Sequence, residues 1–333
     1  MVQLTSSDKK LFTAFSVLLF LPALQYIMPG TMDALEPLKN IFIFSILGIS
    51  LHILAGFTGL LSLGIAGFMG LGSYAYAIST STIYPFQLSF FGGLIVAIII
   101  GSIAGLALGL PTLRLKGDYL AIVTLGFGEI VQDVLRNLEG ITKGTQGINP
   151  LPAPSFFGMT ITTADALSWY YILLCAAGLM FFFARQIEMS RLGRALIAIR
   201  DDELAASSLG FVPFRIKTIS FMLSAALAAC AGALWASFLG SSGEPGNFDF
   251  NISALALCIV IVGGLGDLCG VMLGSLIMVG FNSIILVKLA ALLQTQQGTL
   301  SSSVFASPNN FKYMVFGLAL VVVMQIKYRR ATR

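Results

Sequence analysis

Long apolar runs, separated by short polar or glycine-rich joints, follow one another along almost the whole chain. A membrane-spanning helix needs about 20 mainly apolar residues. Ten stretches meet that pattern: 11–29, 40–57, 60–83, 87–110, 118–136, 168–184, 216–239, 252–267, 270–288 and 312–326. The second and third are parted only by a glycine-rich turn around Gly56 and Gly59, and the eighth and ninth by Gly263-Gly264-Leu265-Gly266-Asp267. The pattern predicts an all-α, polytopic membrane protein of about ten transmembrane helices, forming one domain over residues 1–333. Two longer stretches do not fit the apolar pattern. Residues 137–167 are rich in Gly, Pro, Thr and Ser and read as a folded-back external loop. Residues 185–215 are the most charged part of the chain and read as a cytoplasmic segment between spans six and seven.

Composition supports lipid as the solvent. Of the 333 residues, 57% are hydrophobic and 10% charged, against about 25% charged in soluble domains. The 35 glycines suit helices whose backbones approach closely. Lys9-Lys10 followed by an apolar run imitates a signal peptide, but the run is long for one and lacks a small-x-small cleavage site, so it reads as the first span. Cys175, Cys230, Cys258 and Cys269 lie in or beside apolar runs without a CxxC pair and read as buried small residues.

The net charge of +4 is better explained by topology than by nucleic acid, which is not an expected partner. With the N-terminus in the cytoplasm and alternating spans, the inside receives Lys9, Lys10, Arg114, Lys116, Arg185, Arg191, Arg194, Arg200, Arg215, Lys217, Lys327, Arg329, Arg330 and Arg333. Only Lys39, Arg136, Lys143, Lys288 and Lys312 fall outside, and an even number of spans returns the C-terminus to the cytoplasm.

The charged segment carries helix signals. Ser190 can cap a start, Gly210 can supply a left-handed residue after the end, and Pro213 follows. Leu192, Ala195, Leu196, Ile199, Ala206 and Leu209 recur at helical spacing. Arg200, Asp201, Asp202 and Glu203 cluster between them. One short amphipathic helix, or two broken near Arg200–Asp202, fits this pattern. Such a helix lies on the membrane face, is simply solvated, or docks into a partner's groove.

Gly193–Gly210, GRALIAIRDDELAASSLG, resembles the cytoplasmic coupling segment of the branched-chain amino-acid ABC permeases of the LivM type. It matches at Gly193, Arg194, Ala195, Ala198, Ile199, Arg200, Asp201, Glu203, Ala205, Ala206 and Gly210. Three further stretches resemble that family in order along the chain: Gly56–Tyr74 (GFTGLLSLGIAGFMGLGSY), Leu113–Val131 (LRLKGDYLAIVTLGFGEIV) and Val262–Gly270 (VGGLGDLCG). The resemblance implies a permease subunit in a bacterial plasma membrane. It also implies a second related permease chain, two ATPase subunits gripping the 185–215 segment, and an external solute-binding protein meeting 137–167 and 240–251. There are departures. Leu60 and Ile65 stand where relatives carry Gln and His, which puts the solute in question if those side chains face it. Asp267 stands where a small or polar residue such as Ser is usual.

The chain holds no G-x-x-x-x-G-K-[ST] stretch, so any ATP and its magnesium are expected in partner subunits and no cofactor in this chain. Candidates for a solute path are intramembrane polar groups. Glu129 falls near the middle of the fifth run. Gln132 and Arg136 share its face, with Thr124 and Gly128 nearby. That face lines a polar path or pairs with another helix as structural glue. The run with Thr58, Gly59, Ser62, Gly64, Gly67, Gly70 and Gly72 reads first as close helix packing and second as broken backbone facing the path. Gly263, Gly264 and Gly266 are candidate hinges. His52, the only histidine, reads as a satisfied core residue. Two alternatives compete with a branched-chain amino-acid importer. One is a related permease for urea, short amides or other small polar metabolites. The other is an ion-coupled secondary transporter using Glu129 and Asp133.

Overall fold

The computed structural model describes residues 35–112, 118–156, 159–281 and 283. The predicted spans 11–29 and 312–326, both basic termini, residues 113–117 and the far end of the ninth run lie outside the described residues. Helices dominate: α1 (Leu35–Thr58), α2 (Ile65–Thr80), α3 (Phe90–Thr112), α4 (Asp118–Asn137), the single turn α5 (Glu139–Thr142), α6 (Ala166–Met189), α7 (Arg191–Asp201), α8 (Glu203–Ser208), α9 (Pro213–Leu239), α10 (Phe250–Gly263) and α11 (Leu268–Gly280). Two short antiparallel strands, β1 (Ser155–Phe156) and β2 (Met159–Thr160), sit before α6.

Among the described residues five helices are long and apolar enough to cross a membrane: Glu36–Thr58, Phe90–Thr112, Ala166–Met189, Pro213–Leu239 and Pro245–Gly263. The protein is therefore a multi-pass membrane protein. The third predicted run, 60–83, is helical only over Ile65–Thr80, 16 residues. Gly59, at φ +71°, ends α1. Its N–H returns to the Ala55 carbonyl at 3.2 Å, and the chain then runs without helix to Gly64. An apolar pattern could not show this break, because α2 is wrapped almost entirely by protein and its apolar residues serve a core.

That core forms where α9 packs against α1, α2 and α3. Small residues set the spacing. A Cβ on Gly72 would stand 2.1 Å from the Ala229 carbonyl oxygen, and one on Gly232 would stand 1.9 Å from that of Met69. Neither backbone could stay where it is with a larger residue. Buried hydroxyls bond across the helices: Ser50 donates to the Ser224 carbonyl at 2.7 Å, Ser220 to Ile53 at 3.2 Å, and Tyr76 to the Ser237 hydroxyl at 3.0 Å. In a medium without water these groups need protein partners. The outer face of α3 shows Phe91, Ile95, Ile99 and Ile103. Cys230, Cys258 and Cys269 are buried as expected, but Cys175 is exposed, because its apolar neighbours on α6 face outward.

α6 and α9 run between two polar ends. The 27 residues of α9 span about 40 Å, more than the ~30 Å hydrocarbon core. At one end lie α7 and α8. At the other, 148–151 folds back on the turn after α9: the Leu151 N–H donates to the Gly240 carbonyl at 2.8 Å and the Ile148 N–H to the Ser242 hydroxyl at 2.8 Å. Trp169 anchors the return by donating from Nε1 to the Thr162 carbonyl at 3.0 Å.

Candidate functional site

The charged segment forms two helices rather than one. Ser190 starts α7, its hydroxyl accepting the Gly193 N–H at 3.2 Å. Gly193 fits because a Cβ there would meet the Ile187 carbonyl oxygen at 2.3 Å, so α7 turns tightly off the end of α6. Arg194 donates to the Met189 carbonyl at 3.1 Å, a cation placed at the α6 C-terminus. Ala195, Leu196 and Ile199 are buried where α7 meets α1, α6 and α9.

The break falls at Asp202, whose backbone is extended (φ −154°, ψ 108°). Its carboxylate accepts the N–H groups of Leu204 at 2.9 Å and Ala205 at 3.0 Å and so caps α8. Glu203 reaches Lys217 on α9 at 2.7 Å, and Ala206 is buried beneath. Gly210 takes the left-handed conformation expected of it, φ +89°, and Pro213 opens α9. The extended residue resets the helical phase. Leu209 therefore leaves the stripe of Leu192, Ala195 and Ile199 and is 78% exposed, beside Leu204 at 80%.

Three motifs far apart in sequence meet at Arg200. Its Nη1 donates to the Gly56 carbonyl at 2.6 Å. Its Nε and Nη2 donate to Asp201 at 3.2 Å each. A Cβ on Gly59 would stand 3.1 Å from the Arg200 Cγ, and one on Gly266 3.6 Å from Nη1. Gly264 and Gly266 hold φ of +111° and +101°, and Gly263 lies against the Gly270 carbonyl across the α10–α11 turn. Asp267 is the N-cap of α11, accepting the Cys269 N–H at 3.0 Å. Ser and Asp cap equally well, which accounts for the departure at this position. His52 is fully buried beneath Gly56, its ring 5.1 Å from that of Phe57. It is a core residue but not a satisfied one, since neither ring nitrogen has a hydrogen-bond partner among the described residues.

Of the candidate path residues, Gly64, Gly67 and Thr124 meet where α4 crosses the start of α2, Gly59 lies instead against Arg200, and Glu129 alone borders a cleft there. Thr58 is buried, its hydroxyl bonded to the Leu54 carbonyl, and the buried Ser62 hydroxyl accepts the Gly64 N–H at 3.4 Å. Thr124 accepts the Leu63 N–H at 3.0 Å. Gly64 and Gly67 pack on the α4 backbone, where a Cβ would meet the Thr124 carbonyl oxygen at 2.3 Å and the Gly128 Cα at 3.1 Å. Gln132 is buried, 8% exposed. Glu129 is exposed and borders a small cleft of about 10 Å³, room for about one water, with Leu63, Gly128, Phe248, Asp249 and Ser253. Among the described residues Glu129 makes no ion pair; Arg136 pairs with Asp133 instead, at 3.4 Å. Neither departure position borders this cleft: Ile65 is fully buried and Leu60 packs on the core. Sequence reading missed Phe248, Asp249 and Ser253. The available signal was Asp249 just ahead of an apolar run, an N-cap pattern; it accepts the Asn251 N–H at 3.0 Å.

Residues 35–324 match the family described as "Branched-chain amino acid transport system / permease component". The chain is similar to the high-affinity branched-chain amino acid transport system permease protein LivM of Escherichia coli, with 39% identity over 271 residues, 75% of this chain and 62% of the relative. The Salmonella typhimurium LivM is 39% identical over 258 residues, 71% and 60% of the two chains. The LivH permease of the same organism is 30% identical over 196 residues, 56% and 61%. The matched region thus spans about six tenths of these relatives' length. No solved structure matches.

Proposed function

The chain belongs to the branched-chain amino-acid transport permease family, and from that premise we propose that it is the membrane-spanning subunit of an ATP-binding-cassette importer carrying Leu, Ile or Val into the cytoplasm. One observation carries the mechanism: α7 and α8 form a braced unit at one polar end, with Leu204 and Leu209 turned outward and unburied. Apolar side chains at a water-facing end call for a partner surface. In this reading the partners are two ATPase subunits, which hold ATP and magnesium, while this chain binds no cofactor. The end bearing α7 and α8 is cytoplasmic, as are both termini, and the full chain makes ten spans with residues 1–34 and 284–333 included.

The opposite end, where 148–151 bonds to 240–242, receives an external solute-binding protein. A second, related permease chain completes the solute path against the cleft face of α4. The polar side chains there are Glu129, which makes no ion pair among the described residues, and Asp249 and Ser253, whose oxygens already accept backbone N–H groups. A carboxylate without an ion-pair partner among the described residues suits a solute that brings its own ammonium group. The departures at Leu60 and Ile65 do not favour a different solute, because neither residue borders the cleft.

Proteoliposomes holding this chain with its co-purified partners test the assignment. Uptake of radiolabelled leucine that requires ATP and survives collapse of ion gradients supports it. Uptake by this chain alone, driven by a proton or sodium gradient, rejects it in favour of a secondary transporter.

A further inference from the structure

We infer that Arg200 is the positioning residue through which movement of α7 and α8 reaches the lining of the Glu129 cleft; this rests on the importer reading above. Gly56 lies in the last turn of α1, where carbonyls lose their helical donors. The N–H that would return to it, that of Leu60, goes instead to Leu54 at 3.4 Å. The Arg200 guanidinium takes its place at 2.6 Å, a cation at a helix C-terminus. Asp201 holds the other edge of the fork. A planar fork serves both acceptors at once, which a lysine ammonium cannot do with the same geometry.

The contacts of Arg200 lead to the cleft by two routes. The first is Gly59 and the non-helical stretch to Gly64, which carries Leu63 into the cleft wall. Gly59 at φ +71° leaves room for the Arg200 Cγ, and any side chain there is both strained and in the way. The second is Gly266 in the α10–α11 turn, and α10 supplies Ser253 to the cleft lining. The two routes are themselves joined, since the Ser253 hydroxyl accepts the Ala66 N–H at 3.1 Å. At its other end α7 is fastened to α6 through Ser190 and Arg194. A tilt of α7 therefore displaces the Gly56 carbonyl and the α10–α11 turn together. Segments with two discrete arrangements transmit motion; a simple staple does not.

The test uses the complex with its ATPase subunits in lipid nanodiscs and proteoliposomes, comparing wild type with Arg200→Met, Arg200→Lys and Gly59→Ala. Deuterium exchange at the amides of 59–64 and 264–267 is read with and without ATP-vanadate, together with leucine moved per ATP hydrolysed. In the wild type, nucleotide is expected to change exchange at both segments. Arg200→Met is expected to abolish that difference and lower the transport ratio at least tenfold, Arg200→Lys to recover part of it, and Gly59→Ala to lower it as well. The inference is overturned if Arg200→Met keeps the nucleotide response and a ratio within twofold of wild type. It is equally overturned if exchange rises by the same factor in both nucleotide states, the mark of a staple. Should Arg200→Met fail to assemble, Gly59→Ala decides in the same two directions. A wild-type chain that binds no ATPase removes the importer reading and this inference with it, whereas an indifferent Arg200→Met in a working importer removes the inference alone.

Discussion

The backbone N–H of Leu63 and the hydroxyl of Thr124, 61 positions apart in sequence, are bonded at 3.0 Å. Leu63 lies in the non-helical stretch between α1 and α2, so its N–H has no helical acceptor. Thr124 is fully buried and also donates to the Ala121 carbonyl at 2.9 Å, so its hydroxyl is used as both acceptor and donor. Replacing it with the near-isosteric Val strands the Leu63 donor. The expected loss is about 1–3 kcal/mol of stability, read as a lower unfolding midpoint in detergent, with Thr124→Ser close to wild type. A Val variant as stable as wild type would show that the break does not depend on this bond.

Gly64→Ala and Gly126→Ala make a matched pair, one inside the α2–α4 crossing and one on α4 outside it. The first puts a methyl 2.3 Å from a backbone oxygen of α4, while the second has nothing within 4 Å. Overpacking against backbone that cannot rotate away is expected to cost about 1–3 kcal/mol or more. Gly126→Ala should be neutral or slightly stabilising, since Ala is the better helix former by ~1 kcal/mol. Thermal unfolding of the two purified variants provides the comparison, and equal destabilisation of both would contradict the crossing geometry.

Much of this organisation was legible in the sequence, and the reasons differ by element. The apolar runs located α1, α3, α6 and α9 to within a few residues, because length and lack of charge are what a membrane demands. The cap at Ser190, the left-handed Gly210 and the alternative of a break near Arg200–Asp202 follow from local chemistry that acts over three or four residues, whereas the capping role of Asp202 was not read from it. What stayed hidden depends on tertiary partners. Hydropathy cannot separate a lipid face from a protein core, so the shortness of α2 and the exposure of Cys175 were not visible. A continuous period carried through the acidic cluster hid the outward turn of Leu209. The meeting of Gly59, Arg200 and Gly266 joins segments no local rule connects, although each motif had been marked separately.

Asp202 offers a test of whether α8 must be a defined helix for the segment to work. Its carboxylate accepts two N–H groups at the start of a helix only six residues long. Asp202→Ala is expected to remove about 1 kcal/mol, enough to fray so short a helix. Faster amide exchange over 203–208 and a fall in leucine moved per ATP should appear together. Asp202→Ser and Asp202→Asn, which cap similarly, should restore both. Rescue of helix protection without rescue of transport would instead assign the carboxylate a direct contact with the partner.

Glu129 separates a solute path from structural glue. A carboxylate that glues helices is buried and paired, and losing it destabilises the fold by several kcal/mol. Glu129 is exposed, borders the cleft and makes no ion pair among the described residues. Glu129→Gln is therefore expected to leave the unfolding midpoint within about 0.5 kcal/mol of wild type. If the carboxylate meets the solute's ammonium group, the same change should reduce leucine transport five- to tenfold at equal membrane level. Glu129→Asp should fall between the two. A Gln variant that loses stability but keeps transport per folded molecule would reverse the assignment and make the residue glue to a chain beyond this one.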